Sequence, residues 1–143
     1  MLWEIDIHPG EGQPDRAGQR VAAAARELGI ADNLKVAAAR GYLIQGEALG
    51  KADVEKLAGE LLADHLVERA VVGRVGEASL GDFGFRISDF GFEEFNPQSA
   101  IRNPKFSCVT VLLKPGVMDP VSQSVIAAAN DLGIRPQAVA TLR

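Results

Sequence analysis

The chain has little of what most catalytic and metal chemistry needs. Its 143 residues include one cysteine, Cys108, and two histidines, His8 and His65. A single thiol excludes an intrachain disulfide and a Cys-based metal site. The setting of Cys108 beside Phe106, Val109 and Val111 is that of a buried, inert thiol. His8 ends a strand pattern and His65 ends a helix pattern, neither with a carboxylate or second ligand at a telling spacing, so no catalytic, cofactor-binding or metal residue is assigned. Positive charge is short as well: 15 Lys and Arg stand against 19 Asp and Glu, for a net charge of −4. The basic residues are scattered singly, which argues against nucleic acid as a partner. No run approaches the roughly 20 apolar residues that span a membrane. Met1-Leu-Trp-Glu-Ile-Asp-Ile7 carries acids where a signal peptide has a basic region and an apolar run, so a cytoplasmic location is expected.

What the chain does have is an internal repeat. Ile5 to Ile30 and Val109 to Ile134 align without a gap, matching Gly12 with Gly116, Asp15 with Asp119, Gln19 with Gln123, Val21 with Val125, Ala23 to Ala25 with Ala127 to Ala129, and Leu28-Gly29-Ile30 with Leu132-Gly133-Ile134. Turn, cap, helix face and C-cap therefore coincide in the two copies.

Leu2 to His8 alternates as a strand with one buried face, and Pro9, Gly10 and Gly12 end it. Asp15 is placed to cap a helix over Ala17 to Leu28, with Val21, Ala24, Ala25 and Leu28 as its apolar stripe and Gly29 as its C-cap. Lys35 to Ala39 and Tyr42 to Gln45 read as two strands of a hairpin turning at Gly41. A helix follows over Lys51 to Ala63, with Asp53 as a candidate cap and Val54, Leu57, Leu61 and Leu62 as its stripe. Val67 to Val75 supplies another strand. This order is the ferredoxin-like split βαβ unit of an α+β fold, with both helices on one face, and it is expected to make residues 1–75 one complete domain.

Residues 76–105 form a linker without sustained period, in which Phe83, Phe85, Phe90, Phe92 and Phe95 are expected to dock on a sheet face or a partner. Residues 106–143 then restart the unit with a strand at Phe106 to Leu113, a helix from Pro120 to Leu132 capped by Asp119, and a strand from Ala138. Arg143 takes the place of Arg40, so the second copy reads as incomplete. Such a half-unit is expected to self-associate through the exposed strand near Val139.

Motif-like strings do not survive inspection. Asp82-Phe83-Gly84 and Asp89-Phe90-Gly91 spell the kinase magnesium triplet without a catalytic loop. Gly46 to Ala52 is one residue short of a phosphate loop and has Ala52 in place of the Mg²⁺-binding hydroxyl. Arg40-Gly41-Tyr42-Leu43-Ile44 opens like an RNA-recognition signature but lacks the later stacking aromatics. Glu93-Glu94 solvates the linker.

Val109-Thr-Val-Leu-Leu-Lys114-Pro115-Gly116-Val-Met-Asp119-Pro120, followed by Gln123, Val125, Ala128 and Leu132-Gly133, resembles the opening of PurS, the small subunit of phosphoribosylformylglycinamidine synthase. Arg40-Gly41 loosely matches that family's Arg-x-Gly-Lys region, and Leu61 to Glu68 resembles its Leu-Leu-Ala-Asn-Pro-Val-Ile-Glu end. The first copy departs from it at Gly10 to Pro14. Two such units in one chain resemble the N-terminal, PurS-dimer-like region of the large synthetase subunit, PurL. The resemblance implies a non-catalytic bridging module of an ATP-dependent C–N ligase in purine biosynthesis, with synthetase and glutaminase partners and a part in ammonia transfer. ATP and Mg²⁺ are then expected only in the associated synthetase domain. It points to Lys114, Pro115, Gly116, Asp119, Pro120, Arg40 and Gly41 as family-specific contacts, although the residues themselves also read as turn formers and a cap. Two rival readings stay open: a ligand-sensing regulatory module of the same topology, and an RNA-binding domain.

Overall fold

A computed structural model describes residues 1–75 and 109–143. The Phe83, Phe85, Phe90, Phe92 and Phe95 docking segment, the linker of residues 76–105, the two Asp-Phe-Gly strings, Glu93-Glu94 and Cys108 lie outside the described residues.

Strand β1 (Leu2–Pro9) alternates as its sequence requires: Trp3, Ile5 and Ile7 are buried on one face, while Glu4, Asp6 and His8 point to the other. Pro9 and Gly10 end it, and Gly12 takes a φ of 75° in the turn that follows. Helix α1 (Arg16–Glu27) is capped by Asp15 and closed by Gly29, whose φ is 67°. Strand β2 (Arg40–Gln45) and strand β3 (Glu68–Arg74) flank β1, both antiparallel to it. Between them, helix α2 (Lys51–Leu57) runs on into a π-helical turn, Ala58–Leu62, closed by the bond from Ala63 N–H to the Ala58 carbonyl at 2.9 Å. The single long helix expected over Lys51 to Ala63 is thus two kinds of helix end to end. Gly50 is its N-cap, and Asp53 accepts from the Gly50 N–H at 2.9 Å.

The hairpin expected from Lys35 to Gln45 is absent. Gly41 lies inside β2, opposite Asp6 of β1, and its φ is not positive. A two-residue hairpin of this kind needs successive residues at positive φ, and Arg40-Gly41 offers only one glycine. Residues 34–39 therefore run straight into β2 instead of folding back on it. The fourth place in the sheet is filled from far along the chain by strand β4 (Ala138–Leu142), antiparallel to β2 with Ile44 opposite Val139. The strand order is β3-β1-β2-β4. This is the α+β, split βαβ arrangement with its edge strand supplied from outside residues 1–75.

The helix layer follows the same exchange. Helix α3 (Pro120–Asp131), not α1, covers the sheet: Val125, Ala129 and Ile134 join Trp3, Ile5, Ile7, Ile44, Leu49, Val54, Leu57 and Leu62 in one core. The pattern of the first copy places both of its helices on this face, yet no residue of α1 belongs to that core. Of the stripe Val21, Ala24, Ala25 and Leu28, only Ala25 is buried.

A candidate docking surface

The two repeats fold into the same local structure. One carboxylate oxygen of Asp15 accepts from Gly18 N–H at 2.8 Å and the other from Ala38 N–H at 2.7 Å. Asp119 does the same with Ser122 N–H at 3.0 Å and Thr141 N–H at 2.9 Å, and also accepts from the Thr141 hydroxyl at 2.8 Å. Each aspartate thereby caps a helix and clips the chain that returns beside it, which is β4 for Asp119 and the irregular segment before β2 for Asp15. Burial works to raise the Asp119 carboxyl, and the hydrogen bonds from Ser122, Thr141 and Val121 outweigh it, so the group lies below its ordinary range.

Two equivalent legs follow: α1 with residues 34–39, and α3 with β4. Their surroundings differ completely. Val125 is 6% exposed and its counterpart Val21 52%; Ile134 is 6% exposed and its counterpart Ile30 72%. Leu28 and Leu34 are exposed as well. These four exposed apolar side chains on one leg make a face that is unpartnered among the described residues. The strand expected from Phe106 to Leu113 is not formed over its described part: residues 109–113 make only an isolated bridge between Leu112 and Leu142, and Val109 and Val111 are exposed where their counterparts Ile5 and Ile7 are buried.

The residues singled out from the family string fall into two groups. Lys114, Pro115 and Gly116 form an exposed turn, closed by Val117 N–H on the Lys114 carbonyl at 3.1 Å, with Gly116 at a φ of 83°. Asp119 and Pro120 open α3. Arg40 and Gly41 lie elsewhere, in β2. The Arg40 guanidinium forms a forked ion pair with Glu68 and donates to the Leu62 carbonyl at 2.9 Å, tying the end of the π-helical turn to β3. The hydrogen bond with Arg40 holds the Glu68 carboxyl below its ordinary range. Gly41 has Asp6 Oδ1 and Leu142 Cδ1 directly over it, at 2.8 and 2.5 Å from where a Cβ would stand. The structure therefore gives Gly41 a packing role beneath β4 in place of the expected turn.

Nothing in the residue pattern announces the buried acid face of β1. Asp6 is 7% exposed, and burial, helped by Glu4, pushes its carboxyl up to about 6. Beside it, burial lowers the His8 imidazole, Arg69 lowers it further, and Asp15 opposes them. An open hollow of about 400 Å³ lies between the π-helical turn and β3, lined by Glu55, Gly59, His65, Glu68 and Arg69 among others. Among the described residues, no group of three or more His, Cys, Asp or Glu side chains is placed to hold a metal ion, and no helix is long and apolar enough to cross a membrane.

Fold and surface together define a split βαβ α+β protein in which one repeated leg is seated in the core and its twin is displayed. No protein-family model and no curated protein matches the chain. The solved structure of PurS from B. subtilis in its C2 crystal form is similar over 50% of this chain and 94% of that one, with 15% sequence identity and a TM-score of 0.42.

Proposed function

We propose that this chain is a non-catalytic bridging module of phosphoribosylformylglycinamidine synthase, holding a synthetase to a glutaminase so that ammonia passes between them in purine biosynthesis. The observation that carries this reading is the displayed leg: Val21 and Ile30 are exposed where their counterparts Val125 and Ile134 are buried, and Leu28 and Leu34 are exposed as well. Such a face is built to be covered by protein. The Lys114 to Pro120 string supports the particular enzyme, because it resembles the opening of PurS and forms an exposed turn leading into a helix clamped by Asp119. ATP and Mg²⁺ belong, on this reading, to the synthetase.

The test compares glutamine-fed with ammonia-fed turnover of synthetase and glutaminase, with and without residues 1–143. A bridging module is needed only when nitrogen arrives from glutamine, so removing it should abolish glutamine-fed turnover and spare ammonia-fed turnover. Equal glutamine-fed turnover in its absence would refute the assignment.

A further inference from the structure

Asp6, Gly41 and Leu142 stand in one row across the sheet: Asp6 is opposite Gly41 in the pairing of β1 with β2, and Gly41 is opposite Leu142 in the pairing of β2 with β4. Side chains two strands apart are ordinarily kept apart by the one between them, since each strand spacing is about 4.8 Å. In the next row of that face Leu43 separates Glu4 from Ala140 in this way. Gly41 has no side chain to do so. Asp6 Oδ1 and Leu142 Cδ1 lean in from either side, to 2.8 and 2.5 Å from the point where a Gly41 Cβ would stand. Both residues are buried, and among the described residues no hydrogen bond or ion pair reaches the Asp6 carboxyl. The strand that covers it, β4, comes from the second repeat. A carboxylate buried against a leucine methyl group costs free energy that a neutral carboxyl does not.

We infer that Asp6 is a proton-controlled latch on β4: with its carboxyl neutral, Leu142 seats against it over Gly41, and ionisation loosens that seat, so that β4 lifts from β2 while β1, β2 and β3 stay paired. Burial, helped by Glu4, pushes this carboxyl up to about 6, which brings the change close to neutral pH. When β4 lifts, Leu142 leaves with it and water reaches Asp6, returning the carboxyl to about 3.9. The lifted state therefore holds the proton less tightly, and lifting is favoured as pH rises through about 6. Among the described residues, the groups that face Asp6 are few. Glu4 and His8 share its face of β1; across β3, Val71 is opposite Asp6 and Arg69 opposite His8; Asp15, at the start of α1, acts on His8; Thr141 and Arg143 flank Leu142 in the chain. His8 faces Arg69 and not β4, so it takes no part in the lifting. The latch rests on this row of the sheet and not on which enzyme the module serves, so it and the bridging reading fail separately.

Amide hydrogen exchange of the whole chain, corrected for the intrinsic pH dependence of exchange, reads the latch. Thr141 N–H is turned to Asp119, so the neighbouring amides of Ala140 and Leu142 are the ones that face β2. These two should exchange through a local opening with a weak urea dependence, whereas the amides between β1 and β3 need global unfolding. Between pH 5 and pH 7 that local opening should rise about tenfold in the parent and stay level in Asp6→Asn. Leu142→Ala keeps the carboxyl and removes its cover, so the Asp6 titration midpoint, followed by carboxyl carbon NMR, should fall from about 6 toward 4. The inference is overturned by β4 amides that exchange only with global unfolding, by a local opening that ignores pH or keeps its pH dependence in Asp6→Asn, or by an Asp6 midpoint unmoved in Leu142→Ala.

Discussion

Asp15 and Asp119 make the same pair of clips 104 positions apart, one oxygen on the third residue beyond and the other on an amide of the returning chain, yet only Asp119 belongs to a leg packed in the core. Chemistry that is locally identical therefore has unequal consequences for the stability of the whole fold.

Removing the two clips separates them. Loss of an N-cap costs about 1 kcal/mol. Asp119→Ala also frees β4 from α3, so it should lower the global unfolding free energy by at least that much. Asp15→Ala should chiefly quicken amide exchange within α1 and at Ala38, leaving the urea midpoint close to that of the parent. Equal shifts in the two midpoints would show that α1 is as integral to the core as α3.

Truncating the paired isoleucines tests the same asymmetry in the apolar term. Ile134 is 6% exposed, and Ile134→Ala should cost about 2–5 kcal/mol, the range for a buried isoleucine. Ile30 is 72% exposed, and Ile30→Ala should change stability by no more than about 0.5 kcal/mol. Chemical denaturation of the two variants decides the matter.

Gly41→Ala would place a methyl group 2.5 Å from Leu142 Cδ1, 2.8 Å from Asp6 Oδ1 and 3.0 Å from the Ile5 carbonyl oxygen. The Leu142 side chain can shift but the Ile5 backbone cannot, so the substitution should cost about 1–3 kcal/mol, as overpacking does. Exchange should quicken first along β4. A neutral Gly41→Ala variant would contradict the packing.

Asp6 gives stability a pH dependence of defined sign. Its folded-state carboxyl lies at about 6, above the roughly 3.9 of an unfolded aspartate, so the folded state holds its proton longer. That contribution is complete below about pH 4 and is lost as pH rises through about 6. His8 runs the other way: its lowered imidazole contributes stability above its unfolded pKa of about 6.5, lost as pH falls through the folded value. Subtracting the parent's pH profile from that of Asp6→Asn cancels His8. The variant should gain on the parent by on the order of 2 kcal/mol between pH 4 and pH 7. A difference that stays flat across that range would place Asp6 in contact with solvent.

Much of this was legible without coordinates. The Asp15 and Asp119 caps, the Gly29 and Gly133 C-caps, the turn glycines Gly12 and Gly116, and the strands at the two ends of the described chain all occur where residue type and spacing put them. What misled was Gly41. A glycine between two apolar runs reads as a turn, whereas here it is the one residue small enough to lie beneath Asp6 and Leu142. The burial of Asp6 was equally hidden, because alternation assigns β1 a polar face without saying what covers it.

The sequence by itself determined the local frame of the two legs: each one's turn, cap and helix, and the aspartate clip to the returning chain, arise from interactions spanning about twenty residues, and like patterns cap and turn alike. It also determined that each leg carries an apolar face to bury. Only the tertiary structure decided which leg is buried and where, since Val21 and Val125 present the same local signal. That choice turns on the missing hairpin at residues 39–41, which sends the first leg away from its own sheet and leaves the edge of β2 to Ala138–Leu142. Local propensity acts before such long-range pairing and cannot distinguish a strand that folds back from one that crosses over; the ladder hydrogen bonds and the apolar burial at the far end of the chain make the difference.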